Sequence, residues 1–450
     1  MGNMVRMDST AEKLYQWVKG LPIIDYHNHL SVKDLTDNTR FYDIYDLWIK
    51  PDPYKHRAMR MCGVNEGYIT GGASNKEKFV KWCETVPKLI GGPLYHWAVM
   101  ELDTIIGVDK LPDAGEAAAL YDFCNAYLLE NTVTACGLLK KFNVEYASPC
   151  VSLIDDITFG EKNTNISPSL RGDDIVHPDC IFVKKLEAMT GGVINDLVSF
   201  ENAVRDRIKV FEKCGCRFSD HALDNGFTFY RDDGKNEERF MRMLKEELGE
   251  EEEARLSSYM LSFLGEEYAR VGFVMQLHIG AQRYTSSKLR NAVGAAGGFA
   301  SIGNSVDVNS LTTFLDVLDC RYKLPKTVLF TLNPSDNALI SVLSGSYSDG
   351  ETQGLITQGP AWWWCDHKHG IEQMLENTSA YGVLSNFIGM TTDSRSFLSF
   401  VRHDYFRRIL CDWLGDKVQK GEFWGGEEEL KTLIYKICYK NAKKLLGGNE

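Results

Sequence analysis

The sequence predicts an α/β protein, a TIM-like (β/α)8 barrel with a helical subdomain inserted after the first strand. Three observations carry that expectation. Short apolar runs recur along the chain, separated by stretches with helical patterning. Several of these runs end in a polar residue, as barrel strands do at the face that carries catalysis. Residues 31–140 are mostly helical in pattern and rich in Trp, Tyr and charge, far longer than a barrel loop needs.

In chain order, residues 8–20 read as a helix opening after Asp8-Ser9-Thr10, and Leu21 to His29 as a strand running into a polar end. The expected division is therefore 1–30 for the N-terminal helix and first barrel strand, 31–140 for the insertion, and 141–450 for the rest of the barrel with its C-terminal helices. Phe142 to Ser148 reads as a strand, and Asn163 to Ser169 is weakly patterned. Leu197 to Cys214 is amphipathic, with Val198, Ala203, Ile208, Val210 and Phe211 on its apolar side. Cys216 to His221, Phe273 to His278, Thr327 to Leu332 and Phe387 to Thr392 read as strands, and 236–271, 396–412 and 428–445 as helices. Periodicity alone does not place all eight strands.

Composition narrows the function. The 450 residues are 44% hydrophobic and 25% charged, ordinary for a globular chain, with a net charge of −12. An acidic chain without a basic stretch is a poor partner for nucleic acid or an anionic membrane. There is no apolar run of membrane-spanning length, and Met1 to Trp17 lacks the apolar core of a signal peptide. Twelve scattered cysteines without a CxxC pair point to reduced thiols and a cytoplasmic protein. His367-Lys368-His369 precedes a helix and reads as a surface segment, and Gly294 to Gly298 reads as a flexible loop, not a nucleotide fingerprint.

The sharpest local signal is Asp25-Tyr26-His27-Asn28-His29. Strand alternation puts Asp25, His27 and His29 on one face, where two imidazoles can converge on one ion. Other apolar runs end in His221, His278, Asn333, Asp393 and Arg395, and Asp393 is the natural oxygen donor to complete a metal site.

Several stretches resemble the uronate (glucuronate) isomerase family of the amidohydrolase superfamily. They are Asp25 to Leu30, Tyr42 to Trp48 leading to Tyr54-Lys55-His56-Arg57-Ala58-Met59-Arg60, Gly92 to Trp97, Ser219 to Leu223, His278 to Ala281, Leu332-Asn333-Pro334, and Thr392 to Phe397 continuing through Arg402-His403 to Arg408. They span nearly the whole chain, in family order. The resemblance implies a barrel of the metal-dependent hydrolase type and one divalent metal, zinc, held by His27, His29 and Asp393. His221 occupies a place where the superfamily often has a further metal-site histidine. Catalytic roles are implied for Asp393, Tyr54, Arg395 and His278, and substrate contacts for Arg171, Arg395, His56, Trp362 and Trp363. The sequence departs from the family where Ser148-Pro149-Cys150-Val151 replaces a Thr-Asp-Asp-Pro stretch, and where Leu170 and Gly172 flank Arg171 in place of Trp and Pro. These changes bear on substrate preference.

The implied reaction is isomerisation of a small-molecule hexuronate by moving a proton from C2 to C1 through an enediol, in an enzyme that works as a homo-oligomer or alone. It needs a base near the α-carbon, proton traffic between O1 and O2, and a cationic grip on the carboxylate, for which Asp393, Tyr54 and the two arginines are chemically suited. The metal either polarises the carbonyl or anchors the acid end, and the second explains better why the substrate must be a sugar acid. A metal-dependent hydrolase or decarboxylase on the same barrel is the alternative, and a non-catalytic sugar-acid binding protein a more distant one.

Overall fold

The computed structural model describes residues 7–108, 114–159 and 165–447. The first strand, β1 (Ile23–Asn28), is buried along its whole length, as a central barrel strand should be. It pairs in parallel with β2 (Val144–Ser152), which continues through β3 (Ser169–Arg171), β4 (Phe218–Leu223) and β5 (Val274–Ile279). Two two-residue strands, β6 (Ala281–Gln282) and β7 (Ser301–Ile302), form a separate antiparallel pair. The main sheet resumes with β8 (Thr327–Thr331) beside β5 and ends with β9 (Ile356–Gln358), giving seven parallel strands in the order β1-β2-β3-β4-β5-β8-β9. Helices connect successive strands, among them Leu197–Lys213, Glu250–Val271 and Val308–Asp319. Between β1 and β2 the chain forms a run of helices that includes Pro53–Met61 and Pro93–Ile106. Asn163 and Thr164, the first two residues of the weakly patterned segment before Arg171, lie outside the described residues.

Two sequence expectations are corrected. Phe387 to Thr392 is buried but forms no ladder strand. Gly389 sits at φ +75°, where a Cβ would lie 2.2 Å from the Ile437 carbonyl oxygen, and this turn interrupts the pleat. The segment still closes the barrel onto β1. His27 N–H donates to Thr391 Oγ1 (2.9 Å), Asp393 N–H to the His27 carbonyl (3.1 Å), and His29 N–H to the Ser394 carbonyl (2.9 Å).

The second correction concerns alternation in β1. Its pairing with β2 runs Asp25 to Ala147 and then Asn28 to Pro149, one extra residue on β1. That irregularity takes Asp25 off the face shared by His27 and His29. Its carboxylate accepts instead from Thr392 N–H (2.7 Å), Thr391 and Thr392 hydroxyls (3.0 and 2.8 Å) and Asn28 (2.9 Å), and lies 3.1 Å from His403 Nε2. Asp25 therefore fastens the closing segment to β1.

Inside the sheet, Ile24, Tyr26, Tyr146, Phe218, Val274, Val328 and Phe330 pack as one apolar cluster below the polar strand ends. A larger cluster lies between the sheet and the surrounding helices.

Candidate active site

Above that cluster a cavity of about 300 Å³ opens at the C-terminal ends of the strands. His27 and His29 enter it from β1, and Asp393 from the closing segment. Asp393 Oδ1 lies 3.0 Å from His27 Nε2 and 3.1 Å from His29 Nε2. The Asp393 backbone has φ +45°, an uncommon conformation for a non-glycine residue, and it aims the carboxylate between the two rings.

A second group faces the first. Asp220 from β4 and His278 from β5 approach to 2.6 Å between Oδ1 and Nδ1, and the His278 ring stacks on Phe330 with centroids 4.4 Å apart. His278 is buried, its Nδ1 is engaged by Asp220, and its Nε2 has no hydrogen-bond partner among the described residues. Buried polar atoms are nearly always partnered, so Nε2 is the nitrogen left to meet a ligand group. Beneath the triad, Cys150 Sγ lies 3.3 Å from His27 Nδ1.

The electrostatics agree with a cation site. Burial disfavours charge on His27, yet Cys150, Asp220 and Asp393 around it outweigh burial and raise its proton affinity well above the ordinary imidazole range. Burial pushes Asp393 up, but His27 and His29 hold it well below the usual carboxylate range. Asp220 is likewise held ionised against burial, by His278, His27 and Arg171. A buried pocket with two ionised carboxylates attracts positive charge, and His27, His29 and Asp393 offer three donor atoms close enough for one ion. The residues fit a divalent metal.

Tyr54 reaches the cavity from the first turn of the Pro53–Met61 helix, whose cap Asp52 accepts from Tyr54 N–H (2.9 Å). Arg171, the last residue of β3, and Arg395, two residues after Asp393, line the same cavity. Arg171 pairs with Asp173 at 2.9 Å, whereas Arg395 has no ion-pair partner among the described residues. Trp362 and Trp363 form one wall, with Trp362 edge-on to His278 at 4.6 Å and Trp363 at φ +53°.

Two candidates stand elsewhere. His221 follows Asp220 on β4 and points to the opposite face, where its Nε2 meets the Tyr268 hydroxyl at 2.9 Å. Its ring also explains Gly172, because a Cβ there would lie 2.1 Å from His221 Cε1. His56 is buried on the Pro53–Met61 helix, outside the cavity lining. Strand alternation could have favoured Asp220 over His221 had the interior face been known. Arg283, which lines the cavity and pairs with Asp224 at 2.8 Å, left no periodic signal.

A profile of the glucuronate isomerase family matches residues 2–446. The chain belongs to the glucuronate isomerase family. Among relatives, the uronate isomerase of Bacillus licheniformis is 40% identical, covering 97% of this chain and 95% of its own. The uronate isomerase of Caldanaerobacter subterraneus is 39% identical, covering 98% and 97%. The crystal structure of uronate isomerase from Thermotoga maritima superposes with a TM-score of 0.90 at 29% identity, over 97% of each chain. Family membership makes the chain an isomerase and favours that reading over the hydrolase or decarboxylase alternative. Among the described residues, no helix is long and apolar enough to cross a membrane.

The Gly294 to Gly298 stretch has a definite place in this family member. Ala295, Ala296, Gly298 and Ala300 line the cavity opposite the strands. Arg57 donates to the Gly298 and Ala300 carbonyls (both 3.2 Å), and Arg60 to the Gly297 carbonyl. The loop expected to be flexible is a wall clamped by the helix that carries Tyr54.

Proposed function

We propose that the chain interconverts D-glucuronate with D-fructuronate and D-galacturonate with D-tagaturonate by proton transfer between C2 and C1. The observation that carries this reading is the pairing of Arg171 and Arg395 with the His27, His29 and Asp393 group in one cavity. Arg395, without an ion-pair partner among the described residues of this acidic site, matches a substrate carboxylate, which Arg binds in a bidentate fashion. Asp393, held as an anion, takes the proton from C2 and returns it at C1. Tyr54 gives its proton to O1 and then takes the O2 proton, so it ends the cycle protonated. His278, whose Nδ1 is held by Asp220, hydrogen-bonds a substrate oxygen through Nε2. Trp362 and Trp363 keep water from the reacting carbons.

Two imidazole nitrogens and a carboxylate oxygen are a donor set that zinc accepts, and we assign zinc to His27, His29 and Asp393. When bound there, such an ion would supply fixed positive charge to the site. Twelve cysteines with no disulfide among the described residues support a cytoplasmic setting.

Proton NMR with D-glucuronate and D-galacturonate in D2O tests the reading. It reports the ketose product and exchange at the migrating position. Turnover of a neutral aldose as fast as a uronate would refute the role given to the arginines.

A further inference from the structure

Behind the ring of Tyr54 lies a charged cluster that the reaction as described does not use. Arg402, from the Val401–Gln419 helix, is 1% exposed. Its guanidinium lies 4.1 Å from the Trp97 ring and 5.0 Å from the Tyr54 ring. Nη1 donates to the Thr392 carbonyl at 3.1 Å, and the same nitrogen is 3.7 Å from Asp366 Oδ2, too far for a hydrogen bond. Among the described residues, Arg402 Nε and Nη2 have no hydrogen-bond partner, and neither does Asp366 Oδ1.

The neighbouring charges are already committed. Lys55 is held between Asp52 (3.2 Å) and Glu101 (2.9 Å), both buried. Arg402 therefore has Asp366 at ion-pair distance but no hydrogen-bonded carboxylate of its own, and two donor nitrogens are idle. Burial disfavours its charge, yet Tyr54, Asp366, Asp52 and Glu101 together outweigh burial, and the field of so buried a cation is little screened where it points. It points at the ring of Tyr54, a residue that lines the candidate active site.

We propose that Arg402, with Asp366 as its counter-charge, is a positioning residue for Tyr54, seating the phenol ring from behind and favouring the negative charge its oxygen carries during proton relay. The inference rests on the reading of Tyr54 as the relay between O1 and O2. Burial raises the Tyr54 phenol, and Arg402 is the largest influence opposing it, against Asp393, Asp366 and Asp52, which add to burial. Trp97 and Trp364 hold the ring edge-on at 6.4 and 5.3 Å, so Arg402 is the cation stacked against it among the described residues.

A double-mutant cycle tests this with the metal-loaded protein. Arg402→Gln keeps a donor for the Thr392 carbonyl and removes the charge. The expected result is a kcat loss on the order of 10- to 100-fold, with KM and metal content unchanged. Adding Arg402→Gln to Tyr54→Phe should then cost no more than about threefold further, because the two act as one unit. Losses that multiply in the double variant would overturn the inference while leaving Tyr54 as the relay. A Tyr54→Phe protein with wild-type kcat would instead remove the relay reading and the inference with it. Loss of metal in Arg402→Gln would show that the residue acts through the Thr392–Asp393 turn, also against the proposal. Should the Gln variant not fold, Arg402→Lys, which keeps the charge, is expected to retain kcat within about tenfold, and a Lys variant as slow as Tyr54→Phe would refute a role based on charge.

Discussion

Gly298→Ala probes whether the clamped loop is a working wall of the cavity. Gly298 has φ +78°, and a Cβ built there would sit 2.4 Å from the Pro53 carbonyl oxygen and 3.3 Å from Arg57 Cβ. Real Cβ atoms essentially never approach closer than 3.0 Å, so backbone must separate by at least 3.0 − 2.4 = 0.6 Å. Pro53 opens the helix that carries Tyr54, and its cap bonds resist displacement, so the loop is the side that moves. The left-handed conformation costs alanine about 1–2 kcal/mol. Weakening the Arg57 and Arg60 bonds adds about 0.5–1.5 kcal/mol for each that is lost, discounted because those side chains are partly exposed. A total of roughly 2–3 kcal/mol falls on the assembled cavity, which corresponds to a loss of about 30- to 160-fold in kcat/KM. The thermal transition should move little, since the loop contributes few buried residues. Steady-state kinetics with glucuronate and a thermal melt of the same preparation measure both. A variant with kcat/KM within about twofold of wild type would refute the argument that the loop walls the substrate.

Four further outcomes are expected. His27→Ala and His29→Ala should each lose most bound metal by elemental analysis, and full occupancy in both would sink the ligand assignment. Asp393→Asn should keep the fold and part of the metal while kcat drops by about 10²–10⁴, and a metal-loaded Asn variant with near-normal kcat would pass the base role to Tyr54 or His278. Arg171→Met and Arg395→Met should lower turnover of uronates by at least about tenfold while sparing any trace activity on neutral aldoses, so equal losses on both substrates would argue against carboxylate recognition. Burial, opposed by Arg402 and aided by Asp393, raises the Asp366 carboxyl to about 7. The folded state then holds this proton more tightly than the unfolded chain, so stability should fall as pH rises from about 4 to about 7. Asp366→Asn should flatten that fall in a pH series of denaturant melts, and an unaltered slope would place the proton elsewhere.

The first strand and its histidines were legible because an apolar run delivers them and two imidazoles two residues apart share a face. The same alternation misled at Asp25, since the extra residue in β1 leaves no trace in a pattern of polar and apolar letters. At β4 the sequence offered Asp220 and His221 side by side, and only the packing of Phe218 inside the sheet and Tyr268 outside it decides which one faces the cavity. Tyr54, Arg171 and the tryptophans came from resemblance, because each reaches the cavity from an element whose placement depends on distant contacts. Arg283 directly follows β6 of the β6–β7 pair, and its position follows from a turn and an ion pair with Asp224, neither of which has a period.

The failure of Phe387 to Thr392 to form a strand has a chemical consequence. A regular eighth strand would hold residue 393 in extended conformation and send its side chain perpendicular to the sheet. In its place, Gly389 turns the segment, and Thr391 and Thr392 fasten it to β1 through Asp25. Arg402 takes up the Thr392 carbonyl that a ladder would have bonded. With the backbone fixed on both sides by these contacts, Asp393 is held at φ +45°, a conformation worth roughly 1–3 kcal/mol of strain that the surrounding bonds offset. The reward is a carboxylate oxygen within 3.1 Å of both His27 and His29. Closure of the barrel and assembly of the proposed base and metal site are thus performed by the same few side chains. Substitutions at Asp25, Thr391 or Thr392 should therefore disturb metal affinity before they unfold the protein.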